Sequence, residues 1–320
     1  MKPFRFFSVL LFSIFAPALA MAQAFPDRPI KIIVPSAPAG GTDILARLLA
    51  AKLQDAMGAS FVVENRSVSL VATDNVAKAP PDGYTLLMGG LFNMVMNSAL
   101  VANLPYDPNR DFTVVGYVSA YPFVALTNPA PGPSTLKDFV AHAKARPGEL
   151  NLGTAGLGTL HQVWGAILTR SLGLDLVQVN FRGAAAAQQE LMAGRIHFLF
   201  DNVSAARGFI EAGSFKALAV SSTRRTKLLP DTPTINETGL VEFDGESWFA
   251  VFAPAKTPEP VLARLREGLA RVKAEKSFID IVERDGGRLL DTPPEKQAEF
   301  LKSEIDRWVG LVQKYRVRAE

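Results

Sequence analysis

The sequence predicts an α/β protein of two similar lobes with a cleft between them. Three observations point there. Strand-like and helix-like patterns alternate in two separate β-α-β-α-β series, one from Ile32 to Met88 and one from Leu150 to Phe200; such alternation builds sheets covered by helices. The pattern changes near residue 125, where Pro129, Pro131 and Pro133 interrupt the chain. After an apolar strand, Ser247–Ala253, the remainder reads as helix. The chain then crosses between lobes twice, near Phe123–Thr127 and near Trp248–Val251.

The first series opens on Ile32–Asp43, IIVPSAPAGGTD. An apolar β run feeds an amphipathic helix through a turn bearing Pro35, Pro38, Gly40 and Gly41. Such a turn aims unpaired backbone N–H groups at one point, and the helix dipole adds partial positive charge there. Together they make a seat for a carboxylate or phosphate without a cationic side chain. The alternative is a tight connection that binds nothing. The helix, Thr42 to about Met57, places Leu45, Leu48, Leu49 and Leu53 on one face. Thr42 can cap it, Asp43 suits its first turn, and Gly58 ends it. Phe61–Glu64 is a second strand, about Ser69–Ala79 a second helix, and Tyr84–Met88 a third strand after the turn Pro80–Gly83.

Leu91–Leu100 reads as helix, Phe112–Ser119 and Phe123–Thr127 as two β runs, and Ser134 to about Ala145 as helix. The second series has strands at Leu150–Gly153, Leu176–Phe181 and Ile196–Phe200, with helices at Leu160–Leu172 and Ala184–Ala193. Another helix and strand follow, Ala205–Ala212 and Phe215–Ser221, then turns over Leu229–Gly239. The last helices cover about Pro260–Ala274, Ser277–Asp285 and Pro293–Lys314. Leu301, Ile305, Trp308 and Val312 repeat at helical spacing, so Trp308 reads as core. A ligand would sit at the C-terminal ends of the strands of both lobes, between the facing loops Pro35–Thr42 and Thr154–Thr159.

The chain of 320 residues is 48% hydrophobic and 20% charged, a composition suited to a globular fold with a substantial core. Residues 1–22 read as a secretory signal: Lys2 and Arg5, an apolar stretch Phe6–Leu19, then Ala20-Met21-Ala22. Cleavage is expected after Ala22, with Ala20 as the alternative. The apolar stretch is short for a membrane span of about 20 residues. Removing this segment lowers the formal charge from +3 to +1. No dense basic block remains for nucleic acid; Arg224, Arg225 and Lys227 read as a solvated loop. There is no Cys, hence neither a disulfide nor a lipid attachment at a cleavage-site Cys.

Gly153, Gly156 and Gly158 give G-x-x-G-x-G, which is not the dinucleotide order. A second anion seat at a helix start fits better. His142, His161 and His197 are scattered, and only His161 lies near a cleft loop. Ser36 is not in a nucleophile elbow. No catalytic set and no metal spacing emerges. Asp201 follows an apolar strand and can point into the cleft, or cap the next helix, where Asn202 or Ser204 would serve as well. Arg182 can pair with an anion or stand on a surface loop.

The ordered set FPDRPIKIIVPSAPAGGTDILARLLA, VVENR, VAKAPPDGYTLLMG, LPYDPNRDF, LNLGTAGLGTLHQ, LFDN, FKALAVSSTRR, LLPDTPTINETG and SWFAVFAPAKTP resembles the Bug family, periplasmic solute-binding receptors of tripartite tricarboxylate transporters. It covers Phe25 to the C-terminus. The resemblance implies a type II Venus-flytrap fold, each lobe a helix-covered mixed sheet, with no enzymatic activity. Lobe 1 would comprise residues 23–124 and 248–320, and lobe 2 residues 125–247. It implies a small organic carboxylate held largely by backbone N–H groups and waters. Matching positions are Ala37, Pro38, Gly40, Thr42 and Asp43 in the first loop, Thr154, Ala155, Gly156 and Thr159 in the second, and Asp201. It implies no metal or cofactor, a monomer in the periplasm, and membrane transporter components as partners. A ligand-sensing partner of a membrane signalling protein is the alternative, and a periplasmic enzyme a third reading. Two segments depart from the family pattern: Ser67–Ala72 is apolar where a glycine-rich run is usual, and Leu91–Met96 is apolar where a polar segment is frequent. Both are expected to border the cleft and make its distal part less polar, suiting an aromatic or aliphatic monocarboxylate; the rival expectation is an altered lobe surface with no effect on the ligand.

Overall fold

A computed structural model describes residues 25–129 and 132–318. The expected signal segment lies outside the described residues. The first series folds as β1 (Ile30–Val34), α1 (Gly41–Met57), β2 (Phe61–Asn65), α2 (Ser69–Ala77) and β3 (Thr85–Gly90). β1 lies between β2 and β3, parallel to both. Four of its five residues are buried, as a strand covered on both faces requires.

A π-helical turn over Phe92–Met96 follows β3 and leads into α3 (Asn97–Leu100). Leu91, Met94, Val95 and Met96 are buried, and Phe92 alone of the apolar side chains in this run is exposed. The Leu91–Met96 run therefore packs into the core rather than lining the cleft. The two β runs expected at Phe112–Ser119 and Phe123–Thr127 are one strand, β4 (Phe112–Thr127). It changes neighbours at Pro122, where a missing N–H is tolerated between two pairings.

The second series comprises α4 (Leu136–Lys144), β5 (Asn151–Thr154), α5 (Leu160–Ser171), β6 (Val177–Asn180), α6 (Ala184–Met192), β7 (Phe198–Asn202), α7 (Val203–Glu211) and β8 (Lys216–Val220). The chain returns through β9 (Glu246–Pro254) to α8 (Glu259–Ala274), α9 (Lys276–Arg284), β10 (Arg288–Leu289) and α10 (Gln297–Lys314). Strand order is β2-β1-β3-β9-β4-β7-β5-β6, with β8 and β10 also paired to β4.

This order creates the cleft. β3 ends at Gly90, opposite Phe249 of β9, which is opposite Ser119 of β4. β7 runs the other way along β4 and ends at Asn202, opposite Phe123. The strand ends of the two lobes thus meet head-on across the short stretch Ser119–Phe123. One flank is filled: Trp308 of α10 packs on Trp164 of α5, with ring centroids 5.4 Å apart, and on Phe243 at 6.2 Å. Trp164 and Trp308 are fully buried, and Phe300 of the same helix packs on Tyr117 and Trp248, so the C-terminal helix joins both lobes through apolar contact. No helix among the described residues is long and apolar enough to cross a membrane.

Candidate functional site

The first loop runs from Val34 to α1. Gly40 is the residue before the helix and makes no side-chain cap. Thr42 lies inside the first turn, so it does not cap as the sequence suggested; the β-to-α change occurs two residues earlier. Asp43 reaches backwards to the loop instead. Its Oδ2 accepts the N–H of Ala39 at 2.8 Å and Nε of Arg47 at 3.1 Å. Ala39 holds a left-handed φ of 66°, a strained setting for a residue with a Cβ, which that hydrogen bond helps to fix. Arg47 also donates to Asn65 at 2.9 Å, tying the loop to the end of β2. Burial pushes the Asp43 carboxyl up, but the Ala39 N–H and Arg47 outweigh it and hold the pKa below the ordinary value. Asp43 is 3% exposed, and its carboxylate is directed into the loop. Ala37, Pro38 and Gly40 are exposed and Thr42 half-buried.

The second loop follows β5. Thr154 is fully buried; its Oγ1 donates to Asn180 at 2.8 Å and accepts the Gly156 N–H at 3.2 Å. Gly156 has φ 121°, a conformation that L side chains rarely adopt. Thr159 caps α5, accepting from Gln162 N–H and donating to the Gly156 carbonyl at 2.7 Å. Ala155, Gly156 and Thr159 are half-buried at the cleft edge. In both loops the first-turn N–H groups have no backbone carbonyl to bond inside their own helix, and each helix presents its positive end to the cleft.

Asp201, the residue before the last of β7, has no solvent exposure. Its Oδ1 lies 2.9 Å from Nε2 of His161 and accepts the Asn202 N–H at 2.7 Å. Its Oδ2 accepts from Gln188 at 2.7 Å. The acid is therefore enclosed beside the second loop, with His161, Gln188 and the Asn202 N–H around it. That ring sits in the first turn of α5, edge-on to Phe123 at 5.1 Å. Asn202 caps α7 through Ser204 N–H. Sequence reasoning set His161 aside and did not single out Gln188 or Gln162. His161 and Gln188 reach Asp201 from different helices, so no spacing announces them. The usable signal was His161 two positions beyond the cap Thr159.

The remaining candidates stand apart. His197 Nδ1 accepts the Asn151 N–H at 3.0 Å, joining two strands, and burial with neighbouring His142 and Arg146 holds its pKa down. Arg182 is exposed. Among the described residues no cluster of three His, Cys, Asp or Glu could hold a metal.

Comparison with known proteins fits this geometry. A family profile described as "Tripartite tricarboxylate transporter family receptor" matches residues 45–317. Protein BugT of Bordetella pertussis is 32% identical over 294 residues, 91% of this chain and 90% of BugT. The solved structure of Rpa4515 from R. palustris with adipate is 30% identical with a TM-score of 0.79, covering 92% of this chain and 99% of that one. MatC from Rhodopseudomonas palustris, with bound malate, is 31% identical with a TM-score of 0.75, covering 90% and 100%.

Proposed function

The chain belongs to the tripartite tricarboxylate transporter receptor family, with Bug proteins among its relatives, and we propose that it captures a small organic carboxylate in its cleft for delivery to such a transporter. The observation that carries the reading is the pair of glycine-bearing βα loops, Pro35–Thr42 and Thr154–Thr159, at strand ends that meet head-on. Each supplies backbone N–H groups and a positive helix end. A carboxylate touching both loops stabilises a closed form over an open one, which is how a solute signals its capture to a membrane partner. Relatives solved with adipate and with malate support a carboxylate as the cargo.

In this reading Ala37, Pro38, Gly40 and Thr42 line one jaw, and Ala155, Gly156 and Thr159 the other. Asp43, Thr154 and Asp201 hold those jaws in shape from behind. Residues 23–124 and 248–320 form one lobe and 125–247 the other, hinged at the crossing strands, with α10 packed against both. Residues 1–22 direct export to the periplasm, where the protein binds its solute without turnover. Gly40→Val tests the jaw: φ is −78° there and the nearest neighbouring atom to an added Cβ is 3.7 Å away, so the fold should survive. Calorimetry with a panel of carboxylates should show binding by the wild type and at least a tenfold loss in this variant. Equal affinities in both would reject the site.

A further inference from the structure

We propose that the solute carries an apolar body, aromatic or medium-chain aliphatic, and that this body fills a cavity between the lobes beside the first carboxylate seat. The inference rests on the receptor reading above and narrows its ligand.

The cavity measures about 440 Å³. Gly41, the first residue of α1, lines it from one lobe, and Asn202 and Ser204 at the start of α7 line it from the other. It therefore opens at the same edge as the loops that receive the carboxylate. Its walls are Ile44, Leu48, Tyr121, Leu228, Phe249 and Ile281. Ile44 is 57% exposed, a large apolar side chain left in water at the entrance of a cleft. Gly41, Ile44 and Leu48 fall on one face of α1 at i, i+3 and i+7, so the anion seat and the apolar wall are stacked one turn, about 5.4 Å, apart. A carboxylate on the first-turn N–H groups places its own substituent against Ile44.

The charged residues of this cavity stand in solvent-exposed pairs. Arg207 pairs with Glu211 at 2.6 Å, and Arg284 lies 3.5 Å from Asp285. A second carboxylate on the solute that reached the Ile44–Leu48–Phe249 wall would lose hydration against apolar side chains. A hydrocarbon group loses nothing polar there and gains from leaving water. The apolar wall is thus built by α1 and the crossing strands. The Leu91–Met96 run does not supply it, because its side chains other than Phe92 and Asn93 belong to the core.

Hexanoate and adipate form a matched pair, the same six-carbon chain with one or two carboxylates. Protein stripped of solute by unfolding and refolding would be titrated calorimetrically at neutral pH with butanoate, hexanoate, benzoate, adipate and citrate. Hexanoate or benzoate should bind at least tenfold more tightly than adipate or citrate. Affinity should rise about fourfold per methylene from butanoate to hexanoate. Ile44→Ser, at an exposed position that leaves folding intact, should flatten that dependence and cut hexanoate affinity about tenfold. Tighter binding of adipate or citrate, no dependence on chain length, or an unaffected Ile44→Ser variant overturns the inference and leaves the receptor reading standing. No heat with any of the five acids overturns both.

Discussion

Nε2 of His161 lies 2.9 Å from Oδ1 of Asp201, a carboxylate with no solvent exposure. The pair joins the first turn of α5 to the last residues of β7, so the acid holds the ring in place. Asp201→Ala strips partners from His161, Gln188 and the Asn202 N–H, and should destabilise the fold by about 1–3 kcal/mol. Carboxylate affinity should fall about tenfold in Asp201→Ala and in His161→Ala. A double-mutant cycle should give a coupling of about 0.5–3 kcal/mol; strictly additive losses would show that the ring does not act through the acid.

Asp43 gives the first loop a dependence on acid. Its folded pKa is depressed, because the Ala39 N–H and Arg47 outweigh burial. Its contribution is present above the unfolded carboxylate value and is lost as pH falls through the lower folded value. Asp43→Asn should therefore melt below the wild type by a constant margin at neutral pH, and the margin should shrink as the medium is acidified into and below the carboxylate range. A margin independent of pH would contradict this assignment. The measurement is a thermal melt of both proteins in a series of buffers.

Gln162 ties the second loop to the C-terminal segment. Its Oε1 accepts the Gly158 N–H at 3.1 Å and its Nε2 donates to the Arg318 carbonyl at 2.9 Å. The residue is 2% exposed, so Gln162→Leu leaves a loop donor and a tail acceptor short of partners and should cost about 1–3 kcal/mol. Hydrogen exchange followed by NMR should show the Gly158 amide exchanging faster while the β5 amides keep their protection. Unchanged exchange at Gly158 would remove Gln162 from this role.

Glu304 lies in α10 with Trp248 Nε1 donating to it at 2.9 Å. Burial pushes its pKa up, and the Arg307 charge and the Trp248 bond only partly offset this, with Asp244 adding to the rise. A raised carboxyl stabilises the fold in its protonated form, and that advantage is lost as pH rises through the folded value. Glu304→Gln keeps an acceptor for Trp248 and removes the buried charge. It should melt higher than the wild type at pH 8, with the difference narrowing toward pH 4. A variant that melts lower at pH 8 would show that the Arg307 attraction dominates.

Much of the fold was legible in the chain, because hydrophobic periodicity, turn residues and helix ends are local. The two β-α-β-α-β series, the glycine-bearing loops and the core position of Trp308 follow from spacing alone. The family resemblance followed from the ordered set of short segments. Strand continuity was not legible: β4 reads as two runs because Tyr121-Pro122 interrupts the apolar pattern, whereas two different neighbours hold it as one strand.

Which acid faces the solute could not be read from the sequence either. Asp43 opens α1 and Asp201 nearly ends β7, yet both carboxylates turn inward, because donors of the protein itself hold them there. By itself the sequence determined that two glycine-bearing turns lead from strands into helix starts, since β-to-α turns and glycines encode that locally. Only the tertiary structure decided what stands beside each turn. His161 behind one and the Ile44–Phe249 wall beside the other come from segments distant in sequence, and their meeting is fixed by sheet order and packing rather than by any local pattern.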